Sequence, residues 1–437
     1  MLANRRLEAS SKRQRLPALD GAGAGRKCKV STSAALKTRT DSVGFNDDIA
    51  EQMIGRAREI AQQIGRDARQ ADNDRRMSDE NYKALEDAGL LDLVCPTRDG
   101  GYGTSWTTFA RCVHEIAKAS GSAGWLYALQ GSGSWSATKF PKKLHDEVFA
   151  GPGMPRQCGS VALNGTIQKV EGGYVLNGRW PYCTGAWHSQ WGGGGVWLLS
   201  EDGSRTPGGM VITKMDNLTR VDDWYPTGMR GTGSISLEAK NVLIPEHHLL
   251  PGGKDMGMSE NPGPDPSDYW DFRNALVTQN AQSSIGAAEG ILDRVRTILS
   301  GKRCFPFTVF EPQNAQIRMG GSEVVQHQFG RSASMIYSAR LILMRGMGEL
   351  DHFALSRMPM PLDRQAYLRA EQSLINDMVR EAVDKLITVM GNSALSAGAD
   401  IEINWRDIHV ITRHANVATN IGYQSFGKIA LDPGGAV

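Results

Sequence analysis

Histidine and cysteine are the side chains most able to bind metal ions, act as nucleophiles or transfer protons, and the chain has nine histidines and six cysteines. The cysteines lie far apart and form no C-x-x-C pair, so neither a zinc knuckle nor a disulfide framework is expected, and a reducing, cytoplasmic setting is favoured. The adjacent His247 and His248 follow Pro245, which is typical of a turn at the end of a strand. The histidines and acidic residues also lack the H-E-x-x-H spacing, so no metal site is predicted.

Nucleotide-binding and membrane-spanning signals are missing as well. The chain has no P-loop, and its Gly-x-Gly patterns around Gly151 and Gly231 lack the strand-to-helix context of a dinucleotide fold. Over 437 residues, 49 Lys and Arg balance 47 Asp and Glu, which argues against a dedicated nucleic-acid binder. No apolar run approaches the roughly 18 to 20 residues that cross a bilayer. We therefore expect neither a nicotinamide site, nor a nucleic-acid partner, nor a membrane partner.

The elements that must position any site begin with helices. Residues 1–44 are rich in Arg and Lys, have no apolar segment, and are predicted to be a disordered basic tail; an organelle-targeting peptide or a docking arm is the alternative. Helical periodicity starts at Asn46, Ser78 is a plausible N-cap of a second helix that stops at Gly89, and a third helix is predicted over Thr107 to Ala119. Residues 45–154 are thus predicted to form an N-terminal helical domain.

The pattern changes after residue 154. In residues 155–250, short β-type runs alternate with turn dipeptides such as Gly172-Gly173, and Pro245 closes the last run, which predicts a small antiparallel, β-barrel-like domain. Residues 251–271 are rich in Pro, Gly, Asp and Ser and are predicted to be a linker loop. The long apolar-periodic segments of residues 272–437 predict a C-terminal four-helix bundle, so the fold class is α+β, mainly α.

Three local motifs carry a family resemblance. They are Gly178-Arg179-Trp180-Pro181-Tyr182-Cys183-Thr184-Gly185, the segment Gly228-Met229-Arg230-Gly231-Thr232-Gly233-Ser234, and Trp405-Arg406-Asp407 with His414 seven residues beyond the aspartate. The first resembles the strand that lies against the flavin in the acyl-CoA dehydrogenase superfamily. The third is similar to the last-helix motif of the reduced-flavin-dependent, two-component monooxygenases, which include the p-hydroxyphenylacetate hydroxylases. The chain therefore resembles the oxygenase components of that branch.

This resemblance implies a cofactor and two catalytic residues. The cofactor is reduced FMN or FAD, which reacts with the co-substrate O2 through a C4a-hydroperoxide to hydroxylate an aromatic or related small organic substrate. The Thr184 hydroxyl is implied to hydrogen-bond the flavin near N5. His414, which titrates near neutral pH, is implied to activate the substrate or to hold the peroxide by a hydrogen bond. His409, five residues earlier, is interpreted as structural.

Further cofactor contacts and partners follow from the same resemblance. Trp180, Tyr182 and Gly185 are implied to line the flavin beside Thr184. Arg303 and Phe305 match an R-x-F segment whose arginine reaches the flavin phosphate of a neighbouring subunit, which implies a homotetramer. Because no nicotinamide site is predicted, a separate NAD(P)H:flavin reductase must supply the reduced flavin by diffusion.

The substrate side departs from the phenol hydroxylases of this branch. Gly133, two residues before Trp135, occupies the position of their phenol-binding histidine, and Gly159 occupies that of a second polar residue, with Ser160 adjacent. Glycines at these positions would widen the pocket. Trp187 is a further candidate for the pocket lining, or else an ordinary core aromatic.

Two rival functions rest on other residues. An acyl-CoA dehydrogenase needs a carboxylate base, and Gly398 occupies the commonest family position, so that reading requires a displaced base such as Asp400 or Glu402. A non-catalytic binding protein of the same fold would bind no flavin. Within the monooxygenase reading, oxygenation at carbon, nitrogen or sulfur stays open because the same cofactor chemistry serves all three.

Overall fold

The computed structural model describes residues 44–251, 263–304, 317–396, 400–415 and 419–432. Most of the predicted tail and linker, together with Phe305 and Gly398, lie outside the described residues. The helices described are α1 (Ala50–Asp74), α2 (Asp79–Asp87), α3 (Trp106–Ala119), α4 (Gly121–Ala137), α5 (Lys142–Phe149), α6 (Phe272–Gly301), α7 (Glu323–Leu355), α8 (Leu362–Met390), α9 (Asp400–Ile411) and α10 (Thr419–Leu431). The strands described are β1 (Gln157–Val170), β2 (Gly173–Trp180), β3 (Trp191–Leu199), β4 (Arg205–Lys214), β5 (Thr219–Val221), β6 (Ser236–Ile244), β7 (Leu249–Pro251), β8 (Arg303–Cys304) and β9 (Ile317–Arg318).

Local signals fixed the boundaries of the N-terminal helices. The Ser78 side chain accepts a hydrogen bond from the backbone of Asn81 and so caps α2, as predicted. Gly89 follows α2 at a φ of 73°, the left-handed conformation that ends many helices. The small residues of α4 serve close packing, since a β-carbon on Gly124 would lie 2.4 Å from that of Ala117 on α3. Helix α4 is consequently buried on nearly all sides, and it forms the floor of the site described below.

The central sheet is mixed, which corrects the prediction of a wholly antiparallel domain. Its seven strands run in the order β5-β6-β2-β1-β3-β4-β7, and neighbours are antiparallel except for the parallel pair β1 and β3. The turn at Gly172-Gly173 joins β1 to β2 as a hairpin. The chain then crosses over, through residues 181–190, to the other side of β1. Because β3 starts at the same end as β1, the two strands run in the same direction.

The C-terminal helices form the predicted bundle. Helix α8 packs against α6, α7 and α10, and α9 packs against α6. Fully buried side chains on three of these helices, among them Ile285, Ile336 and Val379, continue the core of the N-terminal helices. None of the described helices is both long enough and apolar enough to span a membrane.

Candidate active site

Thr184 lies in the turn after β2, not in the strand where the motif suggested it. Pro181 ends the strand, and Tyr182 and Gly185 then adopt left-handed φ values of 65° and 79°. Gly185 cannot be replaced by a larger residue, because a β-carbon there would lie 2.2 Å from the side-chain nitrogen of Gln130. That same nitrogen donates to the backbone carbonyl of Thr184 at 3.3 Å. The turn is therefore held directly against α4.

Side-chain hydroxyl groups form a chain that starts at Thr184. The indole nitrogen of Trp125, on α4, lies 3.3 Å from Oγ1 of Thr184. Oγ1 of Thr184 lies 2.7 Å from Oγ of Ser234, which lies 2.6 Å from Oγ1 of Thr232. The Thr232 hydroxyl ends the chain at the backbone carbonyl of Met229, at 2.8 Å. All five residues are buried.

The two ends of this chain set the direction of every hydrogen bond in it. A carbonyl oxygen only accepts, so Thr232 donates its single hydroxyl proton to the carbonyl oxygen of Met229. Ser234 must then donate to Thr232, and Thr184 must donate to Ser234. The Trp125 indole only donates, so Thr184 accepts from it. The Thr184 oxygen is left with one free lone pair, and its proton is already donated to Ser234. Any further polar partner must therefore be a hydrogen-bond donor.

His414 lies beyond the C-terminal end of α9, three residues after Ile411, and not on the last helix as the motif suggested. Its ring centroid is 5.1 Å from that of Trp125, with the planes at 59°. More than a third of the residue stays accessible to solvent, but desolvation of the ring by the surrounding protein atoms lowers the pKa of the imidazole. His414 is therefore neutral at neutral pH, and Trp125 stands between it and Thr184.

The Arg-Asp pair of the third motif is structural. The fully buried Asp407 carboxylate accepts hydrogen bonds from the backbone N–H of Met229 and from the backbone and hydroxyl of Ser122, at 2.5 to 2.8 Å. Burial raises the pKa of Asp407 to about 6, although these donors oppose the shift. Arg406 pairs with Asp72 on α1, at 2.9 Å. Together the two side chains fasten α9 to α1, to α4 and to the segment before Thr232.

The second motif needs its glycines for the same contact. A β-carbon on Gly228 would lie 2.3 Å from the backbone oxygen of Arg406, so α9 and this segment touch backbone to backbone. The carbonyl of Met229 accepts from the Trp224 indole at 3.0 Å as well as from Thr232. The motif thus builds the end of the hydroxyl chain, a role that its pattern alone did not indicate.

The aromatic residues predicted for the site occupy different environments. Trp180 is fully buried in the β-domain core, where its indole donates to the carbonyl of Gly195. Trp135 is likewise buried, and its indole donates to the carbonyl of Ser267 within an aromatic cluster. Tyr182 is 66% exposed and meets Trp224 edge to face at 5.9 Å. Of the three predicted rings, Tyr182 alone is exposed, and it lies two residues before Thr184 in the same turn.

The predicted substrate-side residues are only partly brought together. Gly133 lies two turns along α4 from Trp125, and a β-carbon there would meet only Gln157, at 3.6 Å. Gly159 lies between strands, where a β-carbon would approach the Gly193 carbonyl at 2.8 Å, so its smallness serves the β1–β3 pairing. Ser160, the next residue, is half-buried in the same pairing. A β-carbon on Gly133 would therefore make ordinary contact with Gln157, whereas one on Gly159 would clash with the backbone of Gly193.

Of the two other predicted residues, Trp187 lies against Gly233, where a β-carbon would approach its ring at 2.8 Å, and Arg303 lies in a different part of the fold. Trp187 is half-buried at the margin of the β-domain core, with the Arg76 guanidinium 5.3 Å from its ring centre. Arg303 is exposed in the small β8–β9 pair, where its Cα partner is Arg318. His409, interpreted as structural, contacts Asp384 at 2.9 Å and the ring of Trp405.

The donor and acceptor pattern at Thr184 fits a reduced flavin. N5 of a reduced flavin carries a hydrogen, and the remaining lone pair on Thr184 is an acceptor for such a group. N5 of an oxidised flavin has no hydrogen and would meet another lone pair. Tyr182 and Trp224 add aromatic surface suited to a flat heterocycle. The residues present therefore suit the reduced cofactor better than the oxidised one.

Comparison with protein families agrees with this geometry. Residues 48–143 match the model of the acyl-CoA dehydrogenase N-terminal domain, and residues 279–419 match that of the acyl-CoA dehydrogenase C-terminal domain, so the two matches cover more than half of the chain. The chain belongs to the acyl-CoA dehydrogenase superfamily.

Individual relatives point to one branch of that superfamily. The chain is 26% identical over 387 residues to the oxygenase component of p-hydroxyphenylacetate 3-hydroxylase from Acinetobacter baumannii, covering 86% of this chain and 88% of the relative. It is 28% identical over 388 residues to the oxygenase subunit HsaA of a flavin-dependent monooxygenase from Mycobacterium tuberculosis, covering 84% and 93%. The structure of XiaF from Streptomyces in complex with FADH2 and glycerol superposes with a TM-score of 0.80 at 22% identity, covering 88% of this chain and 96% of XiaF. Both curated relatives are oxygenase components or subunits of flavin-dependent monooxygenases, and the solved structure holds FADH2.

Proposed function

We propose that this protein is the oxygenase component of a two-component monooxygenase that uses reduced flavin and O2 to hydroxylate a small aromatic substrate. The observation that carries the proposal is the directed hydroxyl chain, which leaves Thr184 able to accept a hydrogen bond but not to donate one. When bound, reduced flavin supplies the electrons that activate O2 and delivers one oxygen atom to the substrate. The protein residues bind and orient the cofactor and control protons around it.

Thr184 orients the reduced flavin by accepting the hydrogen on N5. The Thr184 hydroxyl donates to Ser234 and so points away from the cofactor. This direction is fixed because Ser234 donates to Thr232 and Thr232 donates to the Met229 carbonyl. The Trp125 indole donates to the Thr184 oxygen, and its ring packs against that of His414. His414, neutral at neutral pH, is placed to accept a proton from the substrate or to hydrogen-bond the activated oxygen.

The acyl-CoA dehydrogenase alternative receives no support from Glu402, which pairs with two arginines, Arg69 at 3.1 Å and Arg406 at 2.6 Å. Each oxygen of its carboxylate is occupied by one guanidinium group. A carboxylate held in this way is not free to reach a substrate carbon.

A small aromatic substrate suits the neutral imidazole of His414, which lies against the ring of Trp125. Gly133 is covered by Gln157, whose side-chain nitrogen donates to the Gly133 carbonyl at 2.7 Å. No imidazole stands at that position, so we assign activation of an acidic substrate group to His414. Oxygenation at nitrogen or sulfur would use the same cofactor and the same His414.

We further propose a homotetramer in the cytoplasm that receives reduced flavin from a separate reductase. Helix α7 exposes Tyr337 and Leu341, one turn apart, and Leu431 of α10 is 89% exposed, which suits burial of the bundle against other subunits. Arg303 is exposed on the bundle side of the chain, as a residue reaching into a neighbouring subunit must be. The four described cysteines are free thiols, compatible with a reducing compartment.

Rapid mixing tests the proposed function directly. Anaerobic protein holding reduced FMN or FAD is mixed with oxygenated buffer, and the absorbance spectrum is followed. We expect a long-lived species distinct from both reduced and oxidised flavin, and product formation when a phenolic substrate is added. Reduction of bound oxidised flavin by an acyl-CoA would instead establish a dehydrogenase, and failure to bind flavin in either redox state would indicate a non-catalytic protein.

A further inference from the structure

A second polar cluster lies where α5 meets the β domain. Glu147, on α5, faces the turn that follows β6 and contains His247 and His248. Its Oε2 oxygen lies 2.9 Å from Nε2 of His247 and 3.1 Å from Nε2 of His248. One carboxylate oxygen thus meets two imidazole nitrogens, and 100 sequence positions separate Glu147 from His247.

The turn explains why two adjacent histidines face the same atom. Neighbouring residues of a strand point to opposite faces, but residues Glu246–His248 form a single helical turn after Pro245. The two rings consequently stand edge to face with their centroids 4.8 Å apart. Nδ1 of His248 lies 3.3 Å from the Thr213 hydroxyl, and the residue is only 3% exposed. Nδ1 of His248 thereby contacts β4, and Nε2 of the same ring faces Glu147.

Two imidazoles and a carboxylate are the ligand set of open, three-ligand zinc sites. The two imidazole nitrogens and the carboxylate oxygen all lie within 4.8 Å of one another, so small side-chain rotations would bring them onto bonds of about 2.0 to 2.2 Å to one ion. The contact between His248 and Thr213 corresponds to the outer hydrogen bond that orients most metal-binding histidines. The side chains of Glu147 and His247 are 31% and 17% exposed, so an ion can enter and retain water.

The charges around the cluster leave one carboxylate oxygen available. Lys214 on β4 lies 3.3 Å from Oε1 of Glu147, the oxygen that does not face the histidines. The ammonium group and a metal ion would therefore bind different oxygens of the same carboxylate. The repulsion between them is moderated by solvent, because the Lys214 side chain is 57% exposed.

We propose that Glu147, His247 and His248 bind a divalent transition-metal ion of the zinc class, and that the ion fastens α5 to the β domain. None of the three residues belongs to the cluster of Thr184, Trp125 and His414. The ion would therefore stabilise the protein without taking part in flavin chemistry. Metal binding also gives a physical role to the two histidines that the sequence pattern assigned only to a turn.

Zinc titration tests the site on the full-length, untagged protein after treatment with a chelator. Competition with a chromophoric zinc indicator should reveal one bound Zn²⁺ per chain. His247→Ala, His248→Ala and Glu147→Gln should each weaken binding at least about tenfold, since even outer-shell changes cost 10- to 100-fold. His327→Ala, which alters an exposed histidine on α7, should bind zinc like the wild type.

Thermal unfolding supplies a second measurement that does not depend on activity. Zinc should raise the melting temperature of the wild type and of His327→Ala, and leave that of Glu147→Gln unchanged, because only a ligand bound to the folded state stabilises it. His248 is deeply buried, so the half-buried His247 is the safer variant should His248→Ala fail to fold. Absence of saturable binding up to millimolar zinc, or equal affinity in wild type, His247→Ala and Glu147→Gln, would overturn the proposal.

Discussion

The indole nitrogen of Trp125 donates a hydrogen bond to the side-chain oxygen of Thr184, across 59 positions of the chain. This bond joins the central helix of the N-terminal region to the turn after β2. It also removes one of the two lone pairs of Thr184, while Ser234 takes its proton. As a result, Thr184 can bind a further hydrogen-bond donor but not an acceptor.

Removing the Thr184 hydroxyl tests its contact with the cofactor. Thr184→Val keeps the shape of the side chain but loses the oxygen, so we expect a loss of about 1 to 3 kcal/mol in stabilisation of the oxygen-activated flavin. Hydrogen peroxide release should rise and product per NAD(P)H should fall, both measured with a fixed supply of reduced flavin. Thr184→Ser retains the oxygen and should restore most of the coupling; equal leakage from both variants would show that the hydroxyl does not control the coupling.

Breaking the hydroxyl chain one residue further along tests its direction. In Ser234→Ala the Thr184 hydroxyl is free to turn, so it can donate to N5 of oxidised flavin. We expect the affinity for oxidised flavin to rise relative to that for reduced flavin, by up to about tenfold for one net hydrogen bond. Anaerobic fluorescence titrations with both redox forms measure the ratio, and an unchanged ratio would show that the chain does not set the preference.

His414 gives a prediction about acid pH. Because burial lowers the pKa of its imidazole, the neutral ring persists at pH 6.5, the ordinary value, and is lost only in more acidic solution. The imidazole of His414 binds its proton more tightly in the unfolded chain than in the folded protein. The free energy of unfolding therefore decreases as the pH falls and this residue is protonated. Product yield should be flat from pH 6.5 to 8 and drop below that range, whereas His414→Asn should have a low yield with flavin affinity retained. Wild-type coupling in His414→Asn would contradict the assigned role.

Asp407 makes the opposite contribution to stability. Its pKa is raised by burial to about 6, so the folded protein binds a proton more tightly than the unfolded chain, and stability from this group is lost as the pH rises from about 4 to 6. Asp407→Asn lacks this titration. The free energy of unfolding, measured with urea, should therefore increase in the variant relative to the wild type as the pH rises across this interval. A constant difference between the two proteins would show that Asp407 titrates normally when folded.

Replacement of Asp407 by alanine should be far more damaging. The backbone N–H groups of Met229 and Ser122 would lose their acceptor inside the protein, at a cost of about 1 to 3 kcal/mol for each. Because Met229 ends the hydroxyl chain, flavin binding should weaken as well. Retained flavin affinity in a folded Asp407→Ala protein would separate α9 from the site.

The sequence predicts those features of the fold that depend on neighbouring residues. Ser78, Gly89 and Pro245 act within a turn of their own positions, so their roles as cap, helix end and strand end are confirmed. The parallel pairing of β1 with β3 was missed because it depends on where the chain returns, and residues 181–190 carry no signal of that path.

The site was predictable only where a motif marked it. Thr184 and His414 were identified by resemblance, and their contacts with Trp125 stay consistent with the roles proposed for them. Trp125 itself was not identified, because nothing local distinguishes a core indole from one that contacts a proposed catalytic side chain. Glu147 was missed for a similar reason, since its partners lie 100 and 101 positions away.

The ion pair between Arg406 and Asp72 spans 334 positions, nearly the whole globular chain. A ribosome making this protein releases Thr184 and Ser234 long before α9, so the backbone N–H of Met229 lacks its Asp407 acceptor during most of synthesis. We therefore expect the end of the hydroxyl chain to reach its final geometry only after α9 has folded back onto α1.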